Sequence, residues 1–287
     1  MQDLRRMRLL LLISGFASCI GSLLAEAPRT LRIVTWNLQW FPGGKPGATK
    51  GVQDLHIESV REAIRKLDPD ILMLQEVGSE GALAETLKPL GDSWKIAIVS
   101  RFDEGGFRSG QQLAIAAKMP SESAWAEPWK RGWAGAPRGY AYASFLIGGK
   151  RLAIYTLHLK SNLGDPATNT SKREDATAQL LTHIGSKDER LLAADAIVIG
   201  GDFNTDDPDS PAALSPGERS FQLLRKDGFS WAFEGIAHQD RITCPSKGRY
   251  PPASFDHFWT RGLGNPLASV SPIQGSDHLP VVIEISL

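Results

Sequence analysis

The most informative segment of the chain covers residues 196–204 and reads Ala196-Ile197-Val198-Ile199-Gly200-Gly201-Asp202-Phe203-Asn204. Its first four residues are apolar, and three of them are β-branched, which is typical of a buried strand. Two glycines and the polar residues Asp202 and Asn204 end this strand. A carboxylate and an amide at the end of a buried strand stand on a rigid scaffold, and this position favours a functional role over a simple turn.

The rest of the chain repeats the pattern of apolar strands with polar ends. We predict strands at 31–36, 71–74, 94–99, 112–118, 140–147, 151–158, 196–199, 255–259 and 280–286, and helices at 56–67, 80–88, 172–184 and 219–226. Polar residues at or beside the other strand ends are Asn37, Glu76, His158, Asp256, Asp277 and His278. Numerous strands with helices between them favour a mixed α/β sandwich with both sheets buried. No Gly-x-Gly-x-x-Gly follows a strand, so nothing indicates a dinucleotide site.

The composition describes an ordinary globular protein. The chain has 287 residues, of which 42% are hydrophobic and 22% charged, so it can bury a core without disulfides. Basic and acidic residues each number 32, and the zero net charge argues against a protein that binds nucleic acid through overall basicity. Two cysteines exclude a disulfide framework, a four-cysteine zinc site and a Cys-x-x-Cys redox motif.

Residues 1–27 have the pattern of a secretory signal peptide. A basic start, an interrupted apolar run over 9–24 and the small-x-small sequence Ala25-Glu26-Ala27 follow one another. The run is short for a membrane span of about 20 residues, so we expect no stable span. Lipid attachment at Cys19 is the alternative interpretation. We therefore predict one domain over 28–287 in a secreted or periplasmic protein.

The polar residues at the strand ends share one ligand chemistry. Asn37, Glu76, Asp202, Asn204 and Asp277 all offer hard oxygen atoms, which prefer Mg²⁺, Mn²⁺ or Ca²⁺ over zinc. Carboxylates that hold a divalent cation, together with two histidines, suit the hydrolysis of a phosphate ester.

These segments together resemble the endonuclease/exonuclease/phosphatase superfamily, the DNase I-like fold, and within it a bacterial secreted nuclease-like member. The resemblance runs from Asn37 to His278, and its most specific pieces are Gly201-Asp202-Phe203-Asn204 and Ser276-Asp277-His278. It implies a four-layered α/β/β/α sandwich, in which two mixed β-sheets pack face to face with helices outside. Each residue alone has an ordinary explanation as a turn, cap or core residue, but the family accounts for all eight signature positions together.

The resemblance implies a metal site at Glu76, Asn37 and Asp277. Glu76 resembles the principal metal carboxylate, and Asn37 resembles an amide that contacts the metal or the phosphate. Asp277 resembles a second contributor to the metal site. The expected ion is Mg²⁺, with Mn²⁺ and Ca²⁺ as alternatives.

The resemblance also implies five catalytic residues. Asp202 resembles the aspartate that orients or deprotonates the attacking water, and Asn204 would hold a phosphate oxygen and help position Asp202. His278 would contact the phosphate and the water, and Asp256 would orient this histidine and keep it charged. His158 would stabilise phosphoryl charge or protonate the leaving oxygen.

Basic and amide residues near the predicted site give a clue to the substrate. We expect four of them to bind it, namely Arg108, Lys160, Asn162 and Arg173. The alternative is an ordinary charged surface, the commonest place for Lys and Arg. Three tryptophans could stack on bases or belong to the core or its rim, and these are Trp125, Trp129 and Trp133.

The leading hypothesis is a monomeric, metal-dependent phosphodiesterase that cleaves nucleic acid, DNA first, by in-line attack of water. A second hypothesis keeps this site but replaces the substrate by a phospholipid head group, an inositol phosphate or another small phosphoester. A third is a non-catalytic binding protein on the same fold. The presence of Glu76, Asp202, Asn204 and His278 argues against the third hypothesis.

Overall fold

The computed structural model of the chain describes residues 30–287, except 105, 106, 109, 131–134, 187, 189, 192, 211, 212 and 247–249. At residues 104, 107 and 108 it describes the backbone alone. The predicted signal peptide over 1–27, the attachment at Cys19 and Trp133 therefore lie outside the described residues, as does the Arg108 side chain.

The first of two six-stranded sheets contains the strand that leads to Asn37. Its strands, numbered along the chain, are β1 (Thr30–Phe41), β2 (Ile71–Val77), β3 (Lys95–Val99), β6 (Gln112–Ala117), β13 (Ala268–Val270) and β14 (Val281–Ser286). Their order in the sheet is β13-β14-β1-β2-β6-β3. β1 and β2 run parallel and the other neighbours run antiparallel, so the sheet is mixed.

The second sheet contains the strand that leads to Asp202. Its strands are β7 (Ser123–Pro128), β8 (Gly139–Ile147), β9 (Lys150–His158), β10 (Ala196–Asp202), β11 (Ser230–Trp231) and β12 (Asp256–Arg261), in the order β11-β12-β10-β9-β8-β7. β9 and β10 run parallel and the other neighbours antiparallel. Between β3 and β6, a short separate hairpin pairs β4 (Asp103–Glu104) with β5 (Phe107–Arg108).

Four helices complete the layers. They are α1 (Lys50–Leu67), α2 (Glu80–Leu87), α3 (Pro166–Ile184) and α4 (Ser220–Lys226), and short 3₁₀ turns occupy Lys88–Leu90 and His238–Arg241. α1 and α2 share one core cluster with Leu72 and Leu74 of β2, whereas Ile71 and Met73 of the same strand belong to the cluster that also holds α3, α4 and the second sheet. Alternate side chains of β2 thus face opposite layers, and the predicted α/β/β/α sandwich is confirmed. Among the residues described, no helix is long and apolar enough to cross a bilayer.

Two helices begin earlier than predicted, and five strands were not predicted, namely β4, β5, β7, β11 and β13. α1 begins at Lys50 and α3 at Pro166, six residues before each predicted start, because their first turns lack the apolar spacing on which the prediction rested. The Asp165 side chain accepts a hydrogen bond from Thr168 N–H and Pro166 follows, so a capping signal for α3 was present. β7 is an edge strand whose residues are only partly buried, so it carries little hydrophobic signal.

The two parallel strand pairs bring the polar strand ends to one edge of the sandwich. Asn37 is paired with Gln75 in the first sheet, and Asp202 lies between His158 and Asp256 in the second. Gly201, with φ of 152°, allows the close approach of neighbouring backbone, since a Cβ there would lie 2.0 Å from the Leu157 carbonyl oxygen. A side chain at position 201 would therefore clash with β9, and glycine allows β10 to pair closely with β9 as far as Asp202.

Candidate active site

An amide joins the two central carboxylates of the site. Asn37 Nδ2 donates to Glu76 Oε1 at 3.1 Å and to Asp202 Oδ2 at 2.9 Å. These three residues come from β1, β2 and β10, so the contact ties the two sheets together at their shared edge. The predicted strand-end residues thus meet in space.

The Glu76 side chain is held by an unusual piece of backbone. Trp40 N–H donates to Glu76 Oε2 at 2.9 Å, and Gln39 N–H donates to Asn37 Oδ1 at 2.9 Å. Gln39, Trp40 and Glu76 have φ values of 49°, 51° and 60°. Non-glycine residues in this left-handed region carry strain of order 1–3 kcal/mol each, and such residues cluster at functional sites. The strained turn delivers two backbone donors to the polar side chains of the site.

The Asp202 carboxylate is buried. Neighbouring groups donate hydrogen bonds to it, but burial and a nearby negative charge disfavour its ionised form. Its Oδ1 accepts from the Asn204 N–H at 2.9 Å, and Asn204 Nδ2 donates to the Leu159 carbonyl at 3.2 Å. Burial, and then the negative charge of Asp256, raise the pKa of Asp202 to about 7. A carboxyl with such a pKa can accept a proton near neutrality.

His158 completes the group around Asp202. Its Nε2 lies 3.4 Å from Asp202 Oδ2 and 3.9 Å from Glu76 Oε1. Burial, helped by the positive charges of Arg138 and His278, lowers the pKa of His158 well below its ordinary value. At neutral pH this imidazole is therefore uncharged.

The second imidazole of the site has the opposite charge state. His278 Nδ1 lies 2.7 Å from Asp256 Oδ2. Burial lowers the pKa of His278, but the Asp256 carboxylate outweighs burial through its charge and its hydrogen bond, so the pKa is raised well above its ordinary value. Trp36 Nε1 donates to the His278 carbonyl at 2.8 Å and positions this loop. The contact between Asp256 and His278 is thus present in the geometry, and its role in the reaction remains a prediction.

Replacing Asp256 with asparagine is expected to lower the pKa of His278 below that of an exposed histidine, because burial would remain and the opposing charge would be gone. In the metal-free protein, the pair stabilises the fold fully below the ordinary histidine pKa, and this contribution is lost as pH rises through the raised folded-state pKa. An NMR titration of the His278 ring in both proteins measures the shift. An unchanged His278 pKa in the variant would contradict the pairing.

Two overlapping sets of side chains could hold a divalent cation. Asp202, Asp256 and His278 form a buried group whose potential ligand atoms lie within 4.8 Å of one another. A protonated imidazole has no free lone pair and does not ligate, so His278 would first have to lose its proton. The carboxylates of Glu76 and Asp202 offer oxygen ligands that suit a hard cation, whereas Asn37 turns its oxygen toward Gln39 N–H and its NH₂ group toward the two carboxylates. A buried Asp256 Oδ1, without a hydrogen-bond partner among the described residues, adds a further polar atom to this region.

The structure places Asp277 beside this group, in a neighbouring cavity. With Gln39, Gly43 and His56 it lines a small open cavity, and it accepts a hydrogen bond from Ser276 Oγ at 3.3 Å. Its role as a metal ligand remains a prediction. His257 points to the opposite face of β12 from Asp256, as the alternation predicts, and its Nε2 lies 2.9 Å from the Thr205 carbonyl.

Three residues expected on the substrate are turned toward the protein instead. Lys160 Nζ contacts the Ser161 and Leu163 carbonyls at 3.0 and 2.8 Å. Asn162 bonds to Asn204 and Arg173, and Arg173 is fully buried with its donors bonded to protein atoms. A buried guanidinium with no donor left does not fit the predicted substrate contact. Asn162 is exposed, but both ends of its amide bond to the protein.

Arg138 and Gln75 help to hold the site together, and the sequence did not predict this role for either residue. Arg138 donates to the His158 and Leu159 carbonyls at 3.0 and 2.7 Å and so holds the end of β9. Gln75 Nε2 donates to Thr156 Oγ1 at 2.9 Å and crosses between the sheets. A polar residue within an apolar strand, such as Gln75, was the available signal.

The tryptophans lie with aromatic side chains of the second sheet. Trp129 is buried against Tyr140, and Trp125 packs on Tyr142 with ring centroids 4.1 Å apart. These contacts support the core-or-rim interpretation for both residues.

The chain matches a known protein family over most of its length. Residues 34–278 match the model of the family described as the Endonuclease/Exonuclease/phosphatase family. No curated protein sequence gives a significant match.

Several solved structures share the fold. TDP2 from C. elegans is 17% identical, with a TM-score of 0.65 over 92% of this chain and 78% of that chain. An endonuclease/exonuclease/phosphatase family protein from Leptotrichia buccalis C-1013-b is 14% identical, with a TM-score of 0.65 over 90% of this chain and 100% of that chain. D. rerio TDP2 complexed with a single strand DNA product is 15% identical, with a TM-score of 0.62 over 90% and 99%. At such low identities these likenesses show the common fold alone.

Proposed function

The chain belongs to the endonuclease/exonuclease/phosphatase family, and on this premise we propose that it hydrolyses phosphodiester bonds in nucleic acid, DNA first, with Mg²⁺ or Mn²⁺. Members of this family are divalent-metal-dependent hydrolases of phosphoester bonds. The single strand DNA product bound by D. rerio TDP2 supports nucleic acid as the substrate class.

The observation that carries the proposal is the Asn37 amide between Glu76 and Asp202, with His158 3.4 Å from Asp202 and His278 in the buried group that Asp202 shares with Asp256. Glu76 and Asp202 would hold the cation, which when bound offsets the charge that develops on the phosphoryl oxygens, and the Asn37 NH₂ group would keep the two carboxylates together. The same cation would lower the pKa of Asp202 and keep its carboxylate ionised.

The two histidines differ in what they can do to a phosphodiester. His278 carries an extra proton at neutral pH, so it can neutralise a phosphoryl oxygen or give a proton to the leaving oxygen. His158 is uncharged and can orient water or donate one hydrogen bond. Opposite pKa shifts in neighbouring groups are the usual basis for separate acid and base roles.

A hydrolytic step follows from these positions. The water oxygen forms a bond to phosphorus as the ester oxygen leaves on the opposite side. Asp202 orients the water and takes its proton, because its carboxylate is ionised and is held in place by Asn37 and the Asn204 N–H. The leaving oxygen takes its proton from His278 or from solvent, so the products are an alcohol and a phosphate monoester.

We expect the purified protein to nick supercoiled plasmid with Mg²⁺ or Mn²⁺ and to stop when EDTA is added. His158→Ala should lower the rate by at least about a hundredfold, because it removes a hydrogen-bonding group 3.4 Å from Asp202, and the loss of one such donor in an active site costs about this much. His183→Ala is the matched control, since His183 packs among the tyrosines of the second sheet. Gel electrophoresis measures nicking.

Two other results would contradict this proposal. Equal activity in His158→Ala and wild type would place the reaction elsewhere. If the protein cleaves neither plasmid, linear DNA nor RNA but releases phosphate or alcohol from small phosphoesters, the second hypothesis replaces the first.

A further inference from the structure

We propose that Asn162 and Arg173 are positioning residues for the reaction, because together they hold the Asn204 peptide and, through it, the Asp202 carboxylate. This inference rests on the proposed hydrolytic function of the site. Neither residue touches the reacting groups through a contact that the structure describes; each acts through another residue.

The segment they hold is strained. Asn204 has φ of 53°, in the left-handed region that asparagine tolerates better than most residues but still at a cost. In this conformation its N–H reaches Asp202 Oδ1 at 2.9 Å. If the Asn204 peptide relaxed toward ordinary backbone angles, Asp202 would lose this donor, so the contacts on Asn204 help to determine where the carboxylate lies.

Asn162 contacts the Asn204 carbonyl, on the other side of the Asn204 Cα from the N–H that reaches Asp202. Its Nδ2 donates to the Asn204 carbonyl at 2.8 Å, and its Oδ1 accepts from Arg173 Nη1 at 3.1 Å. Both ends of the Asn162 amide are therefore occupied by the protein. The bond from Arg173 also determines the orientation of the amide, since a guanidinium can only donate, so the NH₂ group must face Asn204.

Arg173 is itself held by a buried carboxylate. Its Nε and Nη2 donate to Glu218 at distances from 2.6 to 3.1 Å, and Nη2 also donates to Ser215 Oγ at 2.8 Å. Its Nη1 donates to the Lys160 carbonyl at 3.0 Å as well as to Asn162. All five guanidinium donors are thus used, and Arg173 is fully buried. Because Arg173 is itself fixed by these hydrogen bonds, it holds the Asn162 amide in a defined position.

The decisive variant is Asn162→Asp. It keeps the oxygen that accepts a hydrogen bond from Arg173 but replaces the NH₂ group that donates to the Asn204 carbonyl with an oxygen. The variant therefore keeps its bond to Arg173, whereas the Asn204 carbonyl loses its hydrogen bond. We expect kcat on a nucleic acid substrate to fall about tenfold, the usual effect of one lost positioning hydrogen bond. KM should stay within about twofold. Asn162→Ala removes the donor without adding charge and should show the same loss of kcat.

The matched control is Gln179→Glu, in the helix α3 that also contains Arg173. Gln179 exchanges two hydrogen bonds with the Lys130 backbone, at 2.8 and 3.1 Å, away from Asp202. It should keep the wild-type kcat although it also loses a donor and gains a charge. Melting temperatures measured for all variants separate unfolding from loss of positioning.

Three results would overturn the inference. A raised KM with unchanged kcat in Asn162→Asp would mean that Asn162 contacts substrate directly. Unchanged kcat and KM in both Asn162 variants would mean that the bond to Asn204 does not affect the reaction. If the wild-type protein hydrolyses no phosphodiester at all, the proposed function fails and this inference fails with it.

Discussion

Glu76→Gln is expected to lower kcat by at least about a thousandfold, the largest effect of any single change at the site. Glutamine keeps the length of the side chain and one acceptor for the Trp40 N–H, which lies 2.9 Å from Glu76 Oε2. It removes the negative charge that faces Asn37 and His158. Because the cation is bound mainly by charge, the variant should lose metal affinity and activity together.

The measurement is Mn²⁺ binding, followed by electron paramagnetic resonance or calorimetry, with plasmid nicking on the same samples. Glu80→Gln is the control, because Glu80 lies four residues further on, at the exposed start of α2, 3.9 Å from Arg101. It should bind Mn²⁺ and nick plasmid like the wild type. If Glu76→Gln did the same, the metal would belong to the group of Asp202, Asp256 and His278 instead.

The site was predictable where a residue follows directly from its place on a strand. Asn37, Glu76, His158 and Asp202 each end an apolar segment, and parallel pairing brings such ends to one edge. The opposite charges of the two histidines were less accessible. The resemblance implied a charged His278, but the neutral state of His158 depends on burial and on Arg138, 20 residues away in sequence.

The supporting residues show where sequence patterns stop being informative. Arginine is mostly exposed in folded proteins, and Arg173 stands beside a predicted site, so a substrate contact was the natural expectation. Its partner Glu218 is 45 residues away, in a loop that carries no periodic signal. Burial of this pair depends on how α3 packs against the segment before α4, which is a tertiary property. For the same reason, Lys160 and Asn162 could be placed near the site but not oriented.

Arg173→Met is expected to lower the free energy of unfolding by about 3–5 kcal/mol, because it would leave the buried Glu218 carboxylate without its partner. Arg219→Met is the matched control: Arg219 pairs with Glu174 of the same helix at the same 2.6 Å, but its side chain is 68% exposed. Water screens a pair with one partner this exposed, so its loss should cost much less than the loss of the buried pair. Urea denaturation of both variants measures the difference.

The double variant Arg173→Met/Glu218→Leu distinguishes the loss of an ion pair from the loss of packing. Removing both charges leaves no unpaired buried group, and apolar replacements of buried pairs are often tolerated. We expect much of the stability lost in Arg173→Met to return. The kcat should stay low, because Asn162 still lacks the hydrogen bond from Arg173. A loss below about 1 kcal/mol in Arg173→Met would contradict the burial of the pair. Recovery of kcat in the double variant would show that the Asn162 amide keeps its orientation without Arg173.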